Sequence, residues 1–194
     1  MKKLSTYLFL LLFSFQASSW ANDISDFEIE GMSIGDSLLD YFSEEKIKKA
    51  KRNYYKDNEF STFELVHFPE SKIYDGLQAL YKTKDKKYII YSITGTLDCI
   101  NDFTVCKKAW KKIVLDLVEL FKDDAVINDR GTYNHPADES GKSKVTEIRF
   151  EFNSGDRVTV EMTDWSKKIG YYDNIRVNID TKEIAEWLYN NTYK

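Results

Sequence analysis

The strongest periodic signal in the chain runs from Cys106 to Phe121, where apolar residues recur three and four positions apart. This spacing predicts a long amphipathic helix of about four turns. Lysines and acids occupy the remaining positions, so one helix face should pack and the other should be solvated. The apolar stripe consists of Cys106, Ala109, Trp110, Ile113, Val114, Leu117, Val118 and Phe121.

Alternating apolar and polar residues predict strands ahead of this helix. A short first strand is expected at 27–29 and another at 63–67, on which His67 is expected to be a half-buried partner rather than a catalytic base. Residues 72–81 and 87–97 are rich in Ile, Tyr and Thr and flank the polar turn KTKDK, so they should pair as a hairpin.

Capping residues predict helical structure between the first two of these strands. Asp36 can cap a helix that begins at Ser37, and Ser43 can cap one that begins at Glu44, which gives two short helices or one kinked helix. The basic residues that follow, over 46–52, are interpreted as a solvated helix face.

The chain after the long helix predicts more strands. Residues 148–152 and 158–162 alternate on either side of the turn NSGD, which predicts a second hairpin. A strand over 174–179 precedes a last helix, which either Asp180 or Thr181 can cap.

Together these elements predict the α+β class. We expect an antiparallel sheet of about five to seven strands, with the long amphipathic helix and short terminal helices packed on one face. The polar positions of the strands indicate that the other face is wet.

The first 21 residues are typical of a signal peptide. Lys2 and Lys3 precede a short Leu- and Phe-rich run, and the small residues Ser19 and Ala21 predict cleavage before Asn22. A signal anchor is the alternative, although the run is shorter than the about 20 residues that span a bilayer. We therefore expect a periplasmic or secreted protein, with residues 22–194 forming a single domain and with no stable membrane insertion after cleavage.

Composition narrows the classes of partner. Without the leader the chain has 26 basic and 32 acidic residues, a net charge of −6, which argues against nucleic acid as a ligand. The chain has two cysteines, Cys99 and Cys106, and an even number in a chain expected to be exported favours a disulfide. Their C-x6-C spacing differs from the redox motif C-x-x-C. They are predicted to form a structural disulfide.

The segment HPADESGKS (135–143) lies in the longest stretch expected to be irregular, 123–144, and ends like a phosphate-binding loop. The first glycine of such a loop would fall on Pro136, which has no amide hydrogen, so a nucleotide site is excluded. Oxygen and nitrogen donors are present at Asp129, Asn134, His135, Asp138 and Glu139. They match no zinc or calcium pattern, so no metal or other cofactor is expected, and a solvated loop is the favoured interpretation.

Tyr and Trp side chains outside the periodic core positions suggest a binding surface, although edge packing explains them equally well. The candidate binding residues are Tyr133, His135, Asp138, Trp165, Tyr171 and Tyr172.

Two resemblances bear on function. The segments 26–49, 87–95 and 135–143 resemble those of uncharacterised secreted proteins of marine alphaproteobacteria, a likeness that implies no activity. The segment IEGMSIGDSLLDYF (29–42) resembles the helix opening of outer-membrane-assembly lipoproteins and of β-lactamase-inhibitor-like domains, which bind other proteins. The lipid-bearing Cys of those lipoproteins is missing here.

The sequence therefore predicts an exported, non-enzymatic module that binds a protein or an envelope component. The alternative is a hydrolase that uses acidic residues of the 129–139 loop. The sequence leaves the oligomeric state open.

Overall fold

The computed structural model describes residues 24–100 and 102–191, and the predicted signal peptide lies outside them. The described residues form one antiparallel sheet of eight strands with three α-helices, which confirms the α+β class. The strands are β1 (Lys51–Arg52), β2 (Phe60–Leu65), β3 (Gly76–Lys82), β4 (Ser92–Asp98), β5 (Ala125–Asn134), β6 (Lys144–Phe152), β7 (Arg157–Asp164) and β8 (Asn174–Asp180). The α-helices are α1 (Glu44–Lys49), α2 (Phe103–Phe121) and α3 (Lys182–Asn191).

The strand order is β1-β2-β3-β4-β8-β7-β6-β5. The two predicted hairpins are present as the pairs β3–β4 and β6–β7. The last strand, β8, lies in the middle of the sheet, where it pairs with β4 on one side and with β7 on the other. The two halves of the sheet are therefore joined through β8.

The predicted long helix, α2, covers the half of the sheet formed by β6, β7 and β8. Its last residue, Phe121, is almost fully buried, with its ring centroid 5.3 Å from that of Phe150 and 5.0 Å from that of Phe152. The apolar stripe of α2 thus packs against the inward-facing residues of these strands, as the periodicity predicts.

The N-terminal segment covers the other half of the same face. Leu38 and Ile47 are fully buried in the core, and the ring of Phe42 lies 4.8 Å from that of Phe63 on β2. Both predicted helical pieces are present but short. Ser37 rather than Asp36 caps the first, a 3₁₀ turn, while Ser43 caps α1 by accepting a hydrogen bond from the amide of Lys46.

The last helix, α3, packs on the opposite face of the sheet, so the expectation that all helices share one face is wrong. Ile184 and Trp187 of α3 form a separate apolar cluster with Phe60 and Leu80. In the register of β2 and β3, the side chains of Phe60 and Leu80 point away from the main core. They offer α3 an apolar patch at one end of an otherwise polar face. The N-terminal cap of α3 is Thr181, whose Oγ1 accepts a hydrogen bond from the amide of Ile184.

The sheet has one strand more than the predicted maximum of seven, and two of its strands, β1 and β5, were not predicted. The stretch 123–144, expected to be irregular, contains the ten-residue edge strand β5. The basic run expected on a helix face includes β1. An edge strand buries few side chains, so β5 lacks the alternation that reveals a strand, and a bulge between Asp129 and Gly131 breaks its register.

Two local expectations near the N-terminus are also wrong. The strand expected at 27–29 is reduced to an isolated bridge between Ile29 and Met32, although Ile29 is buried. The strand expected at 63–67 ends at Leu65, so His67 is exposed rather than half-buried.

The predicted disulfide joins Cys99 to Cys106, with Cα atoms 5.6 Å apart. Cys99 follows β4 and Cys106 is buried in the first turns of α2. The bond therefore fastens the start of α2 to the centre of the sheet. No helix among the described residues is long and apolar enough to cross a membrane.

The carboxylate of Glu30 ties the N-terminal segment to the chain that precedes β3. It accepts hydrogen bonds from the Ser71 hydroxyl and from the amides of Lys72, Ile73 and Tyr74, at 2.6 to 3.0 Å. Burial acts to raise the pKa of Glu30, but these hydrogen bonds to the ionised form outweigh it and lower the pKa below 4.5. Glu30 itself has a left-handed backbone (φ 55°).

Replacing both cysteines with alanine should lower the free energy of unfolding by about 2.5 kcal/mol, because the short loop no longer restricts the unfolded chain. Urea denaturation of the Cys99→Ala/Cys106→Ala variant measures the change, and reduced wild-type protein should show the same loss. An unchanged unfolding midpoint would contradict the structural role, as would cysteines that react with an alkylating agent before reduction.

The Glu30→Gln variant should lose about 1 kcal/mol of stability at pH 7, because a charged acceptor of four hydrogen bonds becomes neutral. Since folding lowers the pKa of Glu30, its stabilisation is complete above pH 4.5 and is lost as the pH falls through the folded-state pKa. The difference between variant and wild type should therefore shrink in acid. Glu28→Gln, at an exposed neighbour, is the control, and a difference independent of pH would contradict the assignment.

Candidate functional site

The face of the sheet opposite α2 carries polar side chains across most of its width. Side chains alternate along a strand, so the register that directs Val177 toward α2 directs Arg176 and Asn178 to the other side. We name this surface the polar face. It consists of Glu64 on β2, Gln78 on β3, Thr94 and Thr96 on β4, Arg176 and Asn178 on β8, Thr159 and Glu161 on β7, and Glu147 and Arg149 on β6.

Antiparallel pairing arranges these residues in two rows that cross the strands. The first row is Glu64, Gln78, Thr94, Asn178, Thr159 and Arg149. The second row is Thr96, Arg176, Glu161 and Glu147. Neighbours in a row face one another across adjacent strands and are close enough to interact.

Hydrogen bonds connect the rows across the β2 half of the polar face. Arg176 donates from Nη2 to Oε1 of Gln78 at 2.6 Å, although these residues lie on strands that β4 separates. Gln78 in turn donates to Glu64. Beside them, the hydroxyl of Thr94 donates to the side-chain oxygen of Asn178 at 2.8 Å. These side chains hold one another in place.

Glu64 ends this network at β2. Its carboxylate lies 3.6 Å from Nε of Arg52 and accepts a hydrogen bond from the hydroxyl of Tyr54. Burial and the hydrogen bond to Glu64 raise the pKa of Tyr54 to about 12. Tyr54 therefore stays a neutral donor, and its ring is over half exposed.

A carboxylate pair lies in the β6–β7 half, where Glu147 faces Glu161. Glu147 is almost fully buried and accepts hydrogen bonds from the hydroxyl of Tyr133 and from Nε of Arg149. Glu161 has no hydrogen-bond donor among the described residues, but Arg176 faces it from β8. Burial raises the pKa of Glu161, Arg176 opposes the rise and Glu147 adds to it.

Three predicted binding residues meet at one end of the polar face, and we name them the aromatic cluster. The ring centroid of Trp165 lies 4.2 Å from that of His135 and 5.1 Å from that of Tyr171. Burial, and then the charge of Arg176, lower the pKa of His135, which is therefore neutral at pH 7. Tyr133, two residues before His135, is bonded to Glu147, so the alternation of side chains places His135 and its cluster on the side of the polar face.

The remaining predicted binding residues lie near the cluster in different roles. Tyr133 is bonded to Glu147 and so extends the polar face onto β5. Tyr172 is highly exposed beside Tyr171, and its backbone carbonyl accepts a hydrogen bond from Asn174.

Asp138 organises the loop 135–143, which is the turn of the β5–β6 hairpin. Its buried carboxylate accepts hydrogen bonds from the amides of Ser140 and Ser143 and from the Ser143 hydroxyl. These bonds, led by those from Ser143, hold the pKa of Asp138 well below its usual range. The Ser143 hydroxyl also accepts a bond from the amide of Ser166 at 2.9 Å, which ties this loop to the segment that carries Trp165.

The acids of 129–139 do not converge on a shared site. Asp129 accepts a hydrogen bond from the amide of Gly131 within the bulge of β5, Asp138 holds its own loop, and Glu139 is exposed. Within residues 24–100 and 102–191, no three His, Cys, Asp or Glu side chains are grouped as a metal ion requires.

The other end of the polar face is bounded by α3. Just before this helix, buried Asp180 accepts hydrogen bonds from the Ser92 hydroxyl at 2.7 Å and from Nε of Arg157 at 3.1 Å. The polar face thus extends from α3 to the aromatic cluster.

Sequence reasoning missed most of the polar face. The polar positions of the second hairpin were recognised as a wet surface, but nothing in the sequence shows that Gln78 contacts Arg176, which is 98 residues away. The missed residues are Glu64, Gln78, Glu147, Glu161, Arg149 and Arg176. Their signal is a run of planar polar side chains at alternate strand positions.

No family model, curated protein or solved structure matched this chain. The proposed resemblances therefore stay predictions, and function must be argued from the site itself.

The Asp138→Ala variant should loosen the loop 135–143, because three hydrogen bonds lose their acceptor. Amide hydrogen exchange at Ser140 and Ser143 should become faster by roughly fivefold to tenfold, without global unfolding. Glu139→Ala, at the exposed neighbouring acid, should leave exchange unchanged. Equal exchange in both variants would contradict the role assigned to Asp138.

Proposed function

We propose that this protein is a non-enzymatic binding module whose ligand contacts the aromatic cluster and the adjoining polar face. One observation carries the proposal: His135, Trp165 and Tyr171 are packed together at the end of a surface of fixed polar side chains. Aromatic rings beside oriented hydrogen-bonding groups are what binding sites use for affinity and specificity.

The arrangement supports recognition better than catalysis. Gln78, Glu64 and Glu147 are bonded to neighbouring side chains, which fixes their orientation as a recognition surface requires. The acids of 129–139 serve their own loop and bulge, so the hydrolase alternative gains no support from their contacts.

We further propose that the module acts in the periplasm or outside the cell and binds an envelope component there. The predicted signal peptide and the disulfide support this location, since disulfides persist in oxidising compartments. Tyr171 and Tyr172 are both about two-thirds exposed and would be accessible to a ligand too large to enter a closed cavity.

Affinity capture from cell-envelope extracts tests this function. The wild-type protein should retain an envelope component that the Trp165→Ala/Tyr171→Ala variant loses, because the aromatic contacts are removed. Tyr189→Ala on α3, another highly exposed tyrosine, should behave as wild type. Equal capture by all three proteins would refute the proposed surface, and turnover of the captured component would favour the enzyme alternative.

A further inference from the structure

We infer that the ligand of the polar face is a neutral oligosaccharide, an inference that rests on the proposed function. The polar face is balanced in charge, rich in planar hydrogen-bonding side chains, and bounded at one end by aromatic rings. These three properties together match a polyhydroxylated chain of sugar rings.

The charge balance comes from pairing each carboxylate with an arginine. Glu64 lies beside Arg52, and Glu147 is bonded to Arg149. In the same way, Glu161 faces Arg176 across β7 and β8. In these pairs carboxylates and arginines are equal in number, so the surface has no cluster of one sign that would attract a polyanion or a polycation, although the chain as a whole is acidic. It favours a ligand that is itself neutral.

The hydrogen-bonding groups of the polar face suit hydroxyl ligands. Gln78, Asn178 and the guanidinium of Arg176 are planar, half-buried and fixed by their neighbours. A planar amide, carboxylate or guanidinium can bond two adjacent hydroxyls at once, and a fixed side chain loses little entropy when it binds.

Two side-chain atoms at the cluster end of the polar face lack a partner among the described residues. The indole N–H of Trp165 is a buried donor, and the side-chain oxygen of Asn174 is a buried acceptor. Each of these atoms therefore has an unused hydrogen-bonding capacity that a hydroxyl group can fill. The ring of Trp165 also offers an apolar surface for the C–H face of a sugar.

The dimensions of the polar face accommodate several sugar rings. From Glu64 on β2 to Arg149 on β6 the first row crosses five strand spacings of about 4.8 Å, or about 24 Å. Along the strands, Thr159 of the first row and Trp165 of the cluster are six residues apart, or about 20 Å, so a tetrasaccharide that runs along the strands from this row to the aromatic cluster fits the surface.

An extended peptide is a poorer fit to this surface. A peptide strand would pair with an open sheet edge through its backbone. The long edge strand, β5, is interrupted by the bulge between Asp129 and Gly131, which disturbs regular pairing. The polar face itself presents side chains rather than free backbone groups.

Isothermal titration calorimetry on the exported chain tests the inference with defined tetrasaccharides. The neutral probes are cellotetraose, maltotetraose and tetra-N-acetylchitotetraose, and the charged controls are tetragalacturonate and the chitosan tetramer. At least one neutral probe should bind with a Kd below about 1 mM. This binding should be independent of salt, because no ion pair forms, and neither charged tetramer should bind more tightly.

Matched variants locate the binding. Trp165→Ala and Arg176→Lys should each weaken the binding of the neutral tetrasaccharide about tenfold. Arg176→Lys has this effect because lysine keeps the charge but lacks the planar guanidinium. Tyr189→Ala should bind as wild type.

Two results would overturn the inference. If envelope capture depends on Trp165 but no neutral tetrasaccharide binds, the ligand class is wrong while the proposed binding surface stands. If a neutral tetrasaccharide binds equally to wild type, Trp165→Ala and Arg176→Lys, the polar face is not its site, whatever the capture experiment shows.

Discussion

The architecture depends on the register of the antiparallel sheet. Side chains alternate between the two faces, so a slip of one residue in any strand would expose its apolar residues and bury its polar ones. The cluster of Phe121 with Phe150 and Phe152 fixes this register on the core side. The same pairing aligns Arg176, Glu161 and Glu147 on the other side, so the packing of the core determines the geometry of the polar face.

Local patterns predicted the elements that bury one regular face. The stripe of α2, the two hairpins and the short-range disulfide follow from spacing, because each is decided within about 20 residues. Elements with little burial or with distant partners did not follow. The edge strand β5 buries too little to alternate, and the placement of α3 depends on Phe60 and Leu80 pointing away from the main core.

The residues of the candidate site also divide into those that local sequence patterns reveal and those that depend on distant partners. His135, Trp165 and Tyr171 were selected because aromatic and histidine side chains are conspicuous outside core positions, and the structure brings the three together. Gln78 and Arg176 are ordinary strand residues in the sequence. They contact each other only because β8 lies close to β3 in the sheet, and no local sequence pattern encodes this long-range relation.

The central position of β8 has a consequence for when the chain can fold. β8 is the last strand along the described residues, and without it β1–β4 and β5–β7 are two separate sheets. Long-range pairings of this kind form slowly, and they cannot form before the last strand is available. The two halves of the sheet therefore stay separate until β8 can pair with both β4 and β7. The strand order thus makes closure of the sheet a late event in folding.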